Sequence, residues 1–253
     1  MKTKIQKLVL AGFIGMTIIG FSACSKEKTD AQYTKFTSLL DVTEIGASSI
    51  VANSLEAVVP ETVVSGTSEL DILLNIKEEE KLARDVYSAL NLKWNNQVLS
   101  NISAAENTHM SAVIFLLQSY GTEYTNVLDP GKFTNTGFQA LYENLVAKGS
   151  VSLEEAWKVG ALIEEMDITD IAGSLANVRD ESIIMVFENL EKGSRNHLRA
   201  FTRQLTLLGL TYIPVYLSAD EYSQIISTPN EAGKQYQMNG NGKRKSGKGI
   251  CNQ

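Results

Sequence analysis

Three things are scarce in this 253-residue chain, and each scarcity excludes something. Cysteine occurs only at Cys24 and Cys251, which excludes a disulfide-dense scaffold. Positive charge is the minority: 23 Lys and Arg against 29 Asp and Glu leave a formal net charge of −6, the wrong sign for a nucleic-acid-binding protein. The apolar run near the N-terminus is too short and wrongly flanked for a membrane span. Histidine is also rare, with His109 and His197 its two occurrences.

The N-terminal stretch MKTKIQKLVLAGFIGMTIIGFSAC has a basic start, an apolar run and small residues before Cys24, and resembles a bacterial lipoprotein signal peptide. Its lipobox-like Phe21, Ser22, Ala23 and Cys24 imply cleavage after residue 23, a lipid on Cys24, and a position in the cell envelope outside the cytoplasm. Losing Lys2, Lys4 and Lys7 with that segment takes the formal charge from −6 to −9. Residues 24–67, rich in Ser, Thr, Ala and Val, read as a tether, and the Gly- and Lys-rich residues 228–253 as a basic disordered tail.

Between them, four segments carry apolar residues at alternating steps of three and four, the period of a helix that buries one stripe. They are Leu73, Ile76, Glu80, Ala83, Tyr87 and Leu90; Ile102, Glu106, His109, Val113, Leu116 and Tyr120; Trp157, Ala161, Glu164, Ile168, Ile171 and Leu175; and Ile183, Phe187, Leu190, Ser194, His197, Phe201 and Leu205. Each stripe contains a metal-ligating residue type. Burying an ionised carboxylate without a partner costs several kcal/mol, against a total stability of roughly 5 to 15 kcal/mol. No Lys or Arg occupies a stripe position, although Lys81 and Arg84 lie beside the first. A metal ion held by carboxylates and neutral imidazoles would neutralise the layer.

The helices are expected at about 68–90, 96–120, 152–177 and 180–208, the third opening with an SxxE capping pattern at Ser152 and the fourth stopping at Gly209. A short loop makes the first two antiparallel. The long connection from Gly121 to Gly149, with a small helix at about 138–147, would let the third run parallel to the second. Residues 68–227 then form one all-α domain, a four-helix bundle with one long crossover, and YIPVYLSADEYSQII a turn and short final helix.

These residues resemble the ferritin-like superfamily, whose di-metal bundles use one Glu from each of two helices and an ExxH pair from each of the other two. Glu80, Ala83 and Tyr87 form ExxAxxxY, similar to the first metal-binding helix of rubrerythrins, and EEEKLARDVY, ENTHM, IEEMDI and GSRNHLRAF resemble an uncharacterised prokaryotic family within the superfamily. The resemblance spans about residues 68–226. It implies that Glu80, Glu106, His109, Glu164 and His197 are metal ligands. One position departs from the pattern: Ser194 stands where the second ExxH requires Glu. Asp167, one turn beyond Glu164, is the first replacement; Glu191, turned inward by a π-bulge at Gly193, and Glu165 are the others.

By this resemblance the protein is expected to hold iron, as a di-iron pair, with manganese or zinc as alternatives, and to oxidise Fe(II) with oxygen or hydrogen peroxide. Any peroxidase activity would need an external electron donor, because the chain lacks a cysteine-bound iron domain. A metal-binding protein without turnover and a helical interaction module with a structural polar layer are the competing readings. The expected partners are metal ions, the oxidant, a membrane reached through the lipid and a second copy in a homodimer, with no nucleic acid.

Overall fold

The computed structural model describes residues 40–42, 48–50, 67–124 and 129–231. Among these, six helices dominate: α1 (Thr67–Trp94), α2 (Gln97–Ser119), α3 (Thr136–Gly149), α4 (Leu153–Leu175), α5 (Glu181–Leu207) and α6 (Ala219–Ser227). The fold is an all-α helical bundle. Two short strands, β1 (Leu40–Val42) and β2 (Ser48–Ile50), pair antiparallel with Leu40 opposite Ile50. They fall inside the stretch expected as a tether, so part of that stretch has regular structure. The segment expected as a signal peptide, Cys24 and the residues beyond 231 lie outside the described residues, and no described helix is long and apolar enough to cross a membrane.

Local chemistry sets the helix ends. Asn95 turns the chain between α1 and α2 with a φ of 46°, a left-handed conformation that Asn tolerates, and Asn96 caps α2 by accepting from the Val98 amide. This connection is shorter than expected because α1 continues through Leu92 to Trp94. The Asp180 carboxylate caps α5 through the Ser182 and Ile183 amides, and Gly209 ends it at a φ of +74°. Ser152 accepts from the Glu155 amide, but both halves of a capping box occur instead at Ser218 and Glu221, opening α6.

Two antiparallel pairs, α1 with α2 and α4 with α5, make the bundle. Glu69 at the start of α1 accepts from the backbone amides of Arg179 and Asp180 beyond α4, so α1 is antiparallel to α4 and α2 runs parallel to it. The connection with α3 supplies that crossover. It is fastened to α1 by buried Asp85, which pairs with Lys81 and Arg84 and accepts from the Gly131 amide, and by Trp94, whose indole donates to the Gly149 carbonyl. Lys81 and Arg84 therefore serve the crossover rather than the carboxylates of the stripes.

Every stripe residue is buried except Tyr120 and Leu175 at the ends. The core is divided into two apolar clusters. One contains Tyr87, Leu90, Ile102, Trp157, Phe201 and Leu205; the other contains Leu73, Ile76, Val113, Leu116, Ile171, Ile183 and Phe187. The polar stripe positions fall between them.

Candidate metal centre

Between the two apolar clusters, Glu80 on α1, Glu106 and His109 on α2, Glu164 on α4, and Ser194 and His197 on α5 are all at most 1% exposed. Helical rise alone leaves the relative level of the two antiparallel pairs open, and the structure settles it. Glu106 reaches across: its Oε2 lies 2.7 Å from His109 Nδ1 and its Oε1 2.8 Å from His197 Nδ1. Glu80 Oε2 is 3.3 Å from the same His109 nitrogen, and Glu164 Oε2 is 3.5 Å from the same His197 nitrogen. The two imidazoles stack at 5.5 Å between centroids, 20° apart. Two triads result, Glu80/Glu106/His109 and Glu106/Glu164/His197, each with donor atoms within 4.8 Å of one another and with Glu106 common to both.

The donor set fits cations. Glu80 Oε2, both oxygens of Glu106 and Glu164 Oε2 are buried and face the imidazole nitrogens, with no Lys or Arg among the described residues paired to them. Glu164 Oε1 instead accepts from the Tyr87 hydroxyl at 2.7 Å, which fixes the carboxylate and leaves its other oxygen facing His197. Carboxylate with imidazole, and no thiolate, suits iron or manganese better than a closed zinc site.

Electrostatics describe the same layer with protons in place of metal. Burial pushes the Glu80 carboxyl up to about 8 against the attraction of the His109 ring. Burial likewise pushes Glu164 up to about 7, with His197 opposing and Glu106 reinforcing. Burial also acts against Glu106, yet His197 and His109 outweigh it and hold that carboxyl below its ordinary range. His109 rises to about 9 because Glu106 and Glu80 overcome its burial, and His197 rises through Glu106 and Glu164 in the same way. Without metal, both rings are held toward the protonated form, and Glu106 is the carboxyl held toward the ionised one.

The sign of the resulting pH dependence follows. Above 4.5 for Glu80 and Glu164, and above 6.5 for His109, the folded state keeps protons that the unfolded chain releases. The metal-free protein should therefore lose several degrees of melting temperature as pH rises from about 6.5 to 9. The contribution of Glu106, whose carboxyl is shifted down, is already complete in that window. A bound metal ion would displace these protons, so stabilisation by added Mn(II) should grow over the same range. Calorimetry with and without Mn(II) measures both trends, and a metal-free melting temperature that is flat with pH would contradict this proton inventory.

The other sequence candidates are placed as follows. Asp167 is 5% exposed, with Oδ2 making no hydrogen bond, but it belongs to neither triad. Burial, then Glu80 and Glu164, raise its carboxyl well above the ordinary value. Glu165 turns away and accepts the amides of Val215, Tyr216 and Leu217 at 2.8–2.9 Å. Glu191 pairs outward with Arg195 at 3.0 Å. Ser194 donates to the Leu190 carbonyl, and α5 is regular through Gly193, without the expected π-bulge. Arg195 and Arg199 bind Glu231 rather than the carboxylates of the layer.

Gly193 has a different role. A Cβ there would lie 2.6 Å from His109 Cε1 and 2.8 Å from Nε2, so the absent side chain is what admits the ring. In an ordinary helix interior Gly→Ala stabilises by about 1 kcal/mol. Gly193→Ala should instead destabilise by about 1–3 kcal/mol through overpacking, and lower metal content at the Glu80/His109 triad. Melting temperature and metal analysis test this, and a more stable variant with unchanged metal content would refute it.

Residues 69–229 match the model of a family described as an uncharacterized protein domain, DUF2202. The chain belongs to this family. It is similar to an uncharacterized protein of Methanocaldococcus jannaschii, MJ0754, at 47% identity over 171 residues, which cover 65% of this chain and 90% of the relative. It also resembles the crystal structure of that hypothetical protein, with a TM-score of 0.65 and 44% identity over 68% of this chain and 98% of the other. Both triads fall within the DUF2202 match.

Proposed function

We propose that this DUF2202 protein is a ferritin-like, membrane-tethered oxidase of Fe(II), built on a dinuclear iron centre. The observation that carries the reading is Glu106, one carboxylate that faces a different imidazole with each of its two oxygens, flanked by Glu80 and Glu164. A carboxylate shared in this way would suit a pair of ions. Glu80, Glu106 and His109 would hold one and Glu106, Glu164 and His197 the other; three protein donors each leave positions open on a six-coordinate ion. The iron pair would supply one-electron redox chemistry on each ion.

The protein's own groups orient, neutralise and exclude water. Leu73 and Ile76 on one side and Tyr87, Trp157 and Phe201 on the other keep the layer dry, which strengthens each charge interaction within it. Tyr87 fixes Glu164. Glu80, Glu164 and the two rings release protons as cations enter. As substrate, two Fe(II) lose two electrons; one O2 takes these with two protons to give H2O2, or one H2O2 takes them with two protons to give two waters.

Anaerobic loading with Fe(II) followed by air tests the reading. It predicts oxygen uptake of about one per two iron and a near-ultraviolet band of ferric product; loaded protein that consumes no oxidant would instead be a binding protein without turnover. The lipobox-like segment supports a tether outside the cytoplasm. Cys24→Ser should move the protein from the membrane pellet to the soluble fraction, and a processed variant that stays with membranes in high salt would contradict a lipid as the sole anchor.

A further inference from the structure

Helix α5 is softened just before it presents His197. Gly193 has no side chain because the His109 ring fills the space a Cβ would take, and a glycine inside a helix leaves the backbone freer than any other residue does. Ser194, next to it, turns its hydroxyl back to the Leu190 carbonyl at 3.2 Å, a bond that competes with the helix's own and tends to bend it. The close approach of the His109 ring thus has a cost in the turn that leads into His197.

Beyond that turn, α5 is fastened from outside, on both sides of His197, by the segment that follows α6. Asn196, 1% exposed, pairs with the backbone of Glu231 in both directions: its carboxamide accepts from the Glu231 amide at 2.9 Å and donates to the Glu231 carbonyl at 3.1 Å. Arg195 holds the Glu231 carboxylate in a fork, Nε to Oε1 at 2.8 Å and Nη2 to Oε2 at 2.7 Å, a geometry that fixes direction as well as adding energy. Arg199, one turn further, donates to the Ile225 carbonyl, the Thr228 hydroxyl and Glu231 at 2.9, 2.9 and 3.1 Å, and back to Asn196 Oδ1 at 2.7 Å. Every one of these bonds converges on residues 195, 196 or 199, and Glu231 is the partner common to all three.

We propose that Glu231 is a positioning residue: through Arg195, Asn196 and Arg199 it splints the softened turn of α5 and holds the His197 ring against Glu106, where Nδ1 lies 2.8 Å from Oε1. Its consequence for the ring stands on these contacts alone. Its consequence for metal rests on the proposed dinuclear reading, in which the Glu106/Glu164/His197 ion depends on the splint and the Glu80/Glu106/His109 ion does not. Loss of a group that supports a ligand typically lowers metal affinity by ~10 to 100-fold.

Heteronuclear NMR of the full chain, kept metal-free with a chelator, reads the rings directly, since His109 and His197 are the two histidines of the sequence. His109→Gln tells their signals apart. Glu231→Ala should shift the ring signals of His197 and leave those of His109 nearly in place, and Glu231→Gln, which keeps one accepting oxygen, should fall between wild type and Ala. With Co(II) added anaerobically, Glu231→Ala should weaken one of the two tight ions by about tenfold and alter the visible band of that ion, with partial rescue in Glu231→Gln. A variant that melts earlier, yet keeps both rings' signals and both wild-type affinities, would overturn the proposal by making the contacts merely structural. Equal movement of both rings would overturn it too, as a general loosening of the bundle. A wild type that holds fewer than two tight Co(II) ions would remove the dinuclear reading, and the ring signals of the metal-free chain would still decide the splint.

Discussion

Glu106→Gln should strip both metal ions from the protein, whereas Glu80→Gln and Glu164→Gln should each cost one. The asymmetry follows from geometry: Glu106 meets both imidazoles, at 2.7 and 2.8 Å, while Glu80 and Glu164 meet one each. Affinity at both positions should fall by more than the ~10 to 100-fold typical of losing a residue that only supports a ligand. Stability should suffer as well. With Glu106 neutral, His109 and His197 lose the charge that holds them protonated, and breaking such a buried arrangement costs about 3–5 kcal/mol. Metal analysis and denaturant titration of the three variants read both effects; equal metal loss from all three would deny Glu106 its shared position.

The second large effect is expected at Glu165, next to a proposed ligand yet not part of the centre. Its fully buried carboxylate collects three backbone amides from residues 215–217, which ties the segment between α5 and α6 to α4. Hydrogen bonds to a charged group are worth about 1.5–3 kcal/mol each, but the freed amides can partly rehydrate at the surface, so Glu165→Ala should cost about 3–5 kcal/mol. Cleavage by a protease should appear between residues 210 and 218. Glu165→Gln, which keeps one accepting oxygen, should lose roughly half as much, and both variants should still bind two ions. Loss of an ion from either would mean that Glu165 belongs to the metal layer.

Much of this was legible in the sequence because helical period is a local property. The four stripes, the polar position in each, the crossover and the stop at Gly209 all follow from spacing within a single segment. What needed the structure was contact between segments. Glu164 and Glu165 are neighbours in sequence but about 100° apart on α4, and only the position of residues 215–217 shows why the second is charged and buried. Gly193 reads as a helix irregularity until the His109 ring is found against it from α2. Arg195 and Arg199 flank His197 in sequence, but only the structure shows that their guanidiniums face Glu231, a residue 32 to 36 positions away. Ser194 is the residue whose consequence is hardest to read, since a missing carboxylate tells nothing about what stands in for it.

The central claim is that two cations share Glu106, and anaerobic titration of the full chain with Fe(II) tests it most directly. The account predicts two tightly held ions per chain, magnetically coupled through the shared carboxylate and both absent from Glu106→Gln. A single ion per chain, or two that remain bound and uncoupled when Glu106 is replaced, would contradict it.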